Sequence, residues 1–170
     1  ASKGFSIYGG DAAKSSNNDR LLNNTLLVVS SAYYGIIIND FGKAVTPVGH
    51  RFFNNVLYHY GDANGRGSIC VTTSAMVDFQ SDYNVVGNWF GINDNESTEN
   101  LTAWRARGYD VHSIQAADTA LFVNPAGKDF HLKSTSPARD AGTALADVTE
   151  DITGMSRPQN SVYDIGCYEY

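Results

Sequence analysis

His50 and Arg51, followed closely by Tyr58-His59-Tyr60 and Asp62, are the densest gathering of chemistry-bearing residues in the chain. Proton abstraction beside a carboxylate needs a base and a positive group that neutralises the carboxylate. A histidine beside an arginine supplies both types, and tyrosine rings present flat amphipathic faces to sugar rings. His50, Arg51, Tyr58, His59, Tyr60 and Asp62 are therefore the candidate carbohydrate-binding residues. Tyr33, Tyr34 and Tyr83 add weaker support from nearby stretches. The competing reading is structural: arginines that flank strand ends in solvent, and a His59 that is an ordinary half-buried residue.

Other constellations are less specific. Asp110, His112 and Ser113 have the residue types of a hydrolytic triad. Near neighbours on one extended segment cannot easily meet with triad geometry, because alternate side chains point to opposite sides. "NDNESTEN" at 93–100 alternates oxygen ligands as a calcium loop does, but lacks the glycine that an EF-hand turn needs. Asp140, Asp151, Arg157 and Asp164 are spaced through a turn-rich segment, where charges commonly serve as hydrogen-bonded anchors. Cysteine and histidine show no metal-ligand spacing, and no phosphate loop is present. No cofactor is expected.

Composition narrows the classes further. The chain has 170 residues, 42% hydrophobic and 18% charged, which is a globular balance. Its net charge of −6 argues against nucleic acid as a partner, since phosphate binding needs a basic face. No apolar run has the length of a membrane span, so membrane insertion is not expected. "ASKGFSIYGG" reads without a secretory signal, having neither a charged start nor an apolar stretch. Cys70 and Cys167 are too few for a disulfide framework and leave pairing open.

The elements that must position these residues announce themselves as a repeat. Arg20-Leu-Leu-Asn-Asn-Thr-Leu26 aligns with Arg51-Phe-Phe-Asn-Asn-Val-Leu57, sharing the arginine, both asparagines and the last leucine. Gly4-Phe-Ser-Ile, Gly35-Ile-Ile-Ile and Gly67-Ser-Ile-Cys keep a similar period. Short β-branched segments between Gly, Asn, Asp and Ser clusters suit strands better than helices. Strands one period apart would stack in parallel, which puts Arg20 beside Arg51. Asn24, Asn55 and Asn84 would then form an inward ladder of amides. Asn23 and Asn54 would lie on the other side and tolerate substitution better. The period is lost from Gly91 to Thr119, where "STENLTAWRARG" reads as a helix with Ser97 or Thr98 as N-cap and Gly108 as C-cap.

The tail carries a family likeness. Ser136-Pro-Ala-Arg-Asp-Ala-Gly-Thr143, Asp151-Ile-Thr-Gly154 with Arg157-Pro158, and Asp164-Ile-Gly-Cys-Tyr-Glu-Tyr170 resemble the closing segment of bacterial right-handed parallel β-helix proteins of the pectate-lyase-like superfamily. Arg139 stands where that pattern has an apolar residue, Cys167 where it has alanine, and "ADTALFVN" has one residue more. The repeat and the resemblance together predict an all-β fold: a short right-handed parallel β-helix of about three coils over 1–90. A helix-containing cap over 91–119 and a closing segment over 120–170 would complete a single domain. The resemblance implies a bacterial extracellular or surface protein. So few coils favour a non-catalytic module that contacts carbohydrate or another protein. The alternative is a small or truncated polysaccharide lyase or glycoside hydrolase. A possible polysaccharide ligand and a homodimer or oligomer joined through the first strand, around Phe5 and Ile7, are the expected partners.

Overall fold

The computed structural model describes residues 4–9, 14–40, 42, 45–93 and 97–170. In chain order the first strands are β1 (Phe5–Tyr8), β2 (Arg20–Leu22), β3 (Thr25–Val28) and β4 (Tyr34–Asn39). Next come β5 (Arg51–Phe53), β6 (Val56–His59), β7 (Gly67–Val71), β8 (Gln80–Asp82), β9 (Val85–Val86) and β10 (Trp89–Ile92). β11 (Ser97–Asn100), α1 (Leu101–Ala106), α2 (Asp118–Leu121), β12 (Phe122–Asn124) and β13 (Asp129–Leu132) follow, with 3₁₀ turns at Thr73–Met76 and Pro125–Gly127.

These strands form four separate sheets, ordered β1-β4-β7-β10-β11, β2-β5-β8, β3-β6-β9 and β12-β13. The expectation of an all-β right-handed parallel β-helix closed by one helix is overturned. β11 folds back antiparallel on β10, which makes the largest sheet mixed, and β12-β13 is a separate antiparallel pair. Helix is divided among two short α-helices and two 3₁₀ turns. The reason lies in the exposed edge of β10: it offers unpaired backbone groups, and the returning chain takes them. Ser97–Asn100 is consequently strand rather than the start of a helix. The N-cap is Asn100, whose side chain accepts from the Ala103 N–H at 2.9 Å, and Arg107 ends the helix.

Within the first two-thirds, parallel pairing follows the repeat. Arg20 pairs with Arg51 and Arg51 with Gln80, while Thr25 pairs with Val56 and Val56 with Val85. Ile7, Ile36, Ile38, Ile69, Val71 and Phe90 turn into a core that also takes Phe52, Leu57 and Val86. Leu101 and Trp104 of α1 close one end of it, with the Trp104 ring stacked 4.8 Å from Phe90. The repeat also runs further than the sequence suggested. Ile114 bridges Val85 in parallel, and the Asp110 N–H donates to the Ser81 carbonyl at 2.7 Å. Residues 110–114 thus form a partial further layer.

The doubled asparagines have two distinct jobs. Asn23 and Asn54 take left-handed backbone, at φ 53° and 57°, which asparagine tolerates better than most residues. That turns the chain from one sheet into the next. The second asparagine of each pair forms the ladder. Asn24 donates its side-chain amide to Asn55 Oδ1 at 3.0 Å, and Asn55 donates to Asn84 Oδ1 at 3.1 Å. The backbone N–H groups of Asn24 and Asn55 reach the same oxygens at 2.9 and 2.8 Å. Asn84 passes the chain to buried Asp110 at 2.9 Å, and its N–H bonds Ser113 Oγ at 2.8 Å.

The expectation that Asn23 and Asn54 are tolerant positions is corrected. Asn54 is buried, donates to the Thr143 carbonyl and accepts from the Thr143 N–H, both at 2.8 Å. Asn23 donates to the Asp164 carbonyl at 2.9 Å. Both hold the closing segment against the stack. Removing a buried amide leaves its partners unsatisfied, so Asn55→Ala and Asn54→Ala should each lower stability by about 1–3 kcal/mol in urea melts. A negligible effect at both would refute the assigned roles.

Candidate functional site

Alternation along β2 and β5 sends Leu21 and Phe52 inward and leaves Arg20, Leu22, Arg51 and Phe53 facing out. Over that outward face lies the segment Thr143–Ala144–Leu145, and the space between is a groove of about 480 Å³. Asn18 and Gly49 line it as well. Gly49 has φ +79°, and a Cβ there would meet Asn18 Oδ1 at 2.2 Å, so glycine is required. The overlying segment is held by Asn54 at Thr143, by the Tyr163 hydroxyl at the Leu145 carbonyl (3.2 Å), and by an ion pair between Asp147 and Arg20.

The two arginines sit at adjacent register positions but are held differently. Arg51 donates to the carbonyls of Gly49 (3.0 Å), His50 (3.4 Å) and Asp78, and has no ion pair among the described residues. Arg20 carries Asp147, with both side chains largely exposed. Leu22 and Phe53 provide half-buried apolar surface beside the charges. The groove therefore combines a fixed cation, a paired cation and an aromatic ring.

The six residues expected to bind carbohydrate do not share one site. Only Arg51 lines this groove. His50 is fully buried, with Nδ1 3.3 Å from the Asp19 N–H and from its carboxylate. Burial pushes its pKa down, against the opposing pull of Asp19. Tyr58, His59 and Asp62 line a different cleft of about 350 Å³, together with Gln115–Ala117. His59 donates from Nε2 to the Ala32 carbonyl at 3.2 Å and accepts at Nδ1 from the Gly61 N–H at 2.9 Å. Both ring nitrogens are committed to backbone, so His59 has no lone pair to offer as a base. Burial lowers its pKa. Asp62 accepts from the Asn88 and Trp89 N–H groups at 2.5 and 3.1 Å, which anchors the next layer. Tyr60 packs edge-on to Tyr58 at 5.0 Å and donates to Asp118 at 2.9 Å. Burial, reinforced by Asp118, pushes the Tyr60 pKa up to about 12.

The other constellations are structural in their contacts. Asp110 is buried and accepts from Ser81, Asn84, Ser113 and the Trp104 indole. Burial raises its pKa, and these donors oppose the shift. His112 does not meet Asp110: its Nδ1 is 2.7 Å from Asp82, and its ring stacks on Tyr83 at 4.8 Å. In the tail, Arg157 pairs with Glu169 at 2.8 Å, both side chains buried. Asp164 accepts from the Asp140 and Tyr170 N–H groups, each at 2.7 Å. Burial alone would raise the pKa of Asp151, yet bonds from Glu169, Thr153 and Met155 bring it down to about 2. Residues 94–96 of the acidic loop lie outside the described residues. Among the described residues no group of three or more His, Cys, Asp and Glu could hold a metal ion, and no helix is long and apolar enough to cross a membrane.

Leu22, Phe53, Thr143–Leu145 and Asp147 are not among the candidate site residues that the sequence offers. The pairs Arg20/Leu22 and Arg51/Phe53 do carry a signal, because they recur at outward positions of the repeat. The overlying segment carries none, since Thr143 and Asp147 meet their partners 89 and 127 residues away in the chain. No family model, curated protein or solved structure matches the chain.

The two buried histidines predict a pH dependence. Their folded pKa values lie below the ordinary histidine value of about 6.5, so the unfolded chain binds protons that the folded one refuses. Their contribution is complete above about pH 6.5 and is lost progressively as pH falls below it. The slope of stability between pH 7 and 5 should flatten in His50→Gln and in His59→Gln. An unchanged slope in both variants would refute it.

Proposed function

We propose that the protein is a non-catalytic module of a bacterial extracellular or surface protein, and that it contacts a glycan through the groove beside β2 and β5. The observation that carries this reading is the outward row Arg20, Leu22, Arg51 and Phe53 beneath an overlying rim. An aromatic ring beside donors that cannot be deprotonated suits a sugar, with the ring stacking and the guanidiniums hydrogen-bonding. Acid–base chemistry on a glycosidic bond would need two converging ionisable groups, as two carboxylates do in most glycoside hydrolases. Among the described residues the groove brings Asp147 alone to its arginines. His59 lies in another cleft with both nitrogens occupied.

Calorimetric titration with soluble polysaccharides should show saturable binding that Phe53→Ala weakens about 3–10-fold. Incubation with polyuronates should yield no unsaturated products. Growth of unsaturated uronate, abolished by Arg51→Ala, would replace the binding reading with a lyase.

Self-association belongs to the same proposal. Among the described residues β1 has one partner strand, β4, and Phe5 at its start is 47% exposed. Antiparallel pairing of two β1 edges about a two-fold axis would cover both. Ile7 points into the core, so Phe5 is the cleaner probe. Sedimentation should find a dimer at micromolar concentration that Phe5→Lys dissociates without lowering the melting temperature. A monomer at high micromolar concentration would refute it.

A further inference from the structure

We infer that Arg20 and Arg51 form a subsite for an anionic group of the ligand, a carboxylate or a sulfate, and that Asp147 occupies this subsite in the free protein. The inference rests on the groove being the glycan-contacting surface. Like charges at facing positions of paired strands repel, so two stacked arginines are an unfavourable choice for a purely structural strand. Among the described residues Asp147 is the one carboxylate that forms an ion pair with either arginine. Arg51 is fixed by three carbonyl oxygens, which orient it without neutralising it. Asp147 reaches Arg20 from the overlying segment and is 65% exposed. The groove thus keeps an excess positive charge on a chain whose net charge is −6.

The Asp147–Arg20 pair has the features of an exchangeable contact. Exposed ion pairs contribute little to stability, because water and salt screen them and both side chains lose freedom in making them. An incoming anion placed between the guanidiniums would make the same kind of bond as Asp147, and would gain the Arg51 charge as well. The carboxylate of Asp147 would then move to solvent. Leu22 and Phe53, two residues further along on the same face, would lie under the ring that carries the anionic group. Asp147 is in this sense an internal competitor: it keeps Arg20 paired until a ligand replaces it.

The test titrates the full chain with polygalacturonate, dextran sulfate and neutral dextran, each at low and moderate salt. Acidic polymers should bind more tightly than dextran, and the difference should shrink with salt. Asp147→Asn should tighten the acidic polymers about 2–5-fold and leave dextran unchanged. Arg20→Gln and Arg51→Gln should abolish the preference, with thermal melts confirming that each variant is folded. A preference for polygalacturonate over dextran sulfate assigns the group as carboxylate, and the reverse as sulfate. Equal, Phe53-dependent binding of neutral and acidic polymers would overturn the anion subsite while leaving the groove as a glycan site. Acidic binding that is indifferent to Asp147→Asn would overturn the role of Asp147. No binding of any polymer would overturn both this inference and the reading beneath it.

Discussion

A relay of amide hydrogen bonds, buried at Asn55 and Asn84 and exposed at its Asn24 end, holds this structure in register. The strands of the two smaller parallel sheets are only two to four residues long, so each layer has few backbone bonds to its neighbours. Corners between the sheets bury backbone polar groups that no strand partner can reach. Asn24, Asn55 and Asn84 fill that need, each bonding the next layer through both backbone and side chain. An unsatisfied buried amide costs about 1–3 kcal/mol, a large share of the stability of a small domain. The apolar core supplies the driving force, but the corners decide which residues face each other.

That registration is what creates the groove. Arg20 faces Arg51 because Asn24 is tied to Asn55, and Phe53 faces out because Phe52 is committed to the core. The rim depends on the other asparagine track. Asn54, turning the corner in a left-handed conformation, has its side chain free to clamp Thr143. One pair of adjacent asparagines therefore sets both walls: the strand register below and the position of the segment above.

Parallel register was legible in the sequence because it is local in kind. Identical residues recur at one spacing, and the amide that needs a partner finds its own copy there. The mixed sheet was not legible. Ser97-Thr-Glu-Asn100 has the composition of a helix start, and only the open edge of β10 makes it a strand. Nor was the partial layer at 110–114, where aspartate and serine replace the asparagine that marked earlier layers. Of the residues singled out by type, Arg51 lies in the groove, whereas His50 and His59 lie outside it with ring nitrogens bonded to backbone. A buried histidine bonded to backbone looks, in sequence, like one that does chemistry. Asp147 was invisible because its partner lies at the far end of the chain.

The amide relay also has a direction. Asn24 donates to Asn55, Asn55 to Asn84, and Asn84 to the Asp110 carboxylate, which also accepts from Ser113. An asparagine can hand a hydrogen bond onward, since it both accepts and donates; both carboxyl oxygens of Asp110 accept. Between Asn24 and Asn84 the layers are therefore interchangeable, and a duplicated or deleted repeat would find matching amides on either side. Beyond Asp110 it would not. The aspartate is a stop signal in hydrogen-bond grammar, so growth of such a protein by repeat duplication is confined to the interior of the stack.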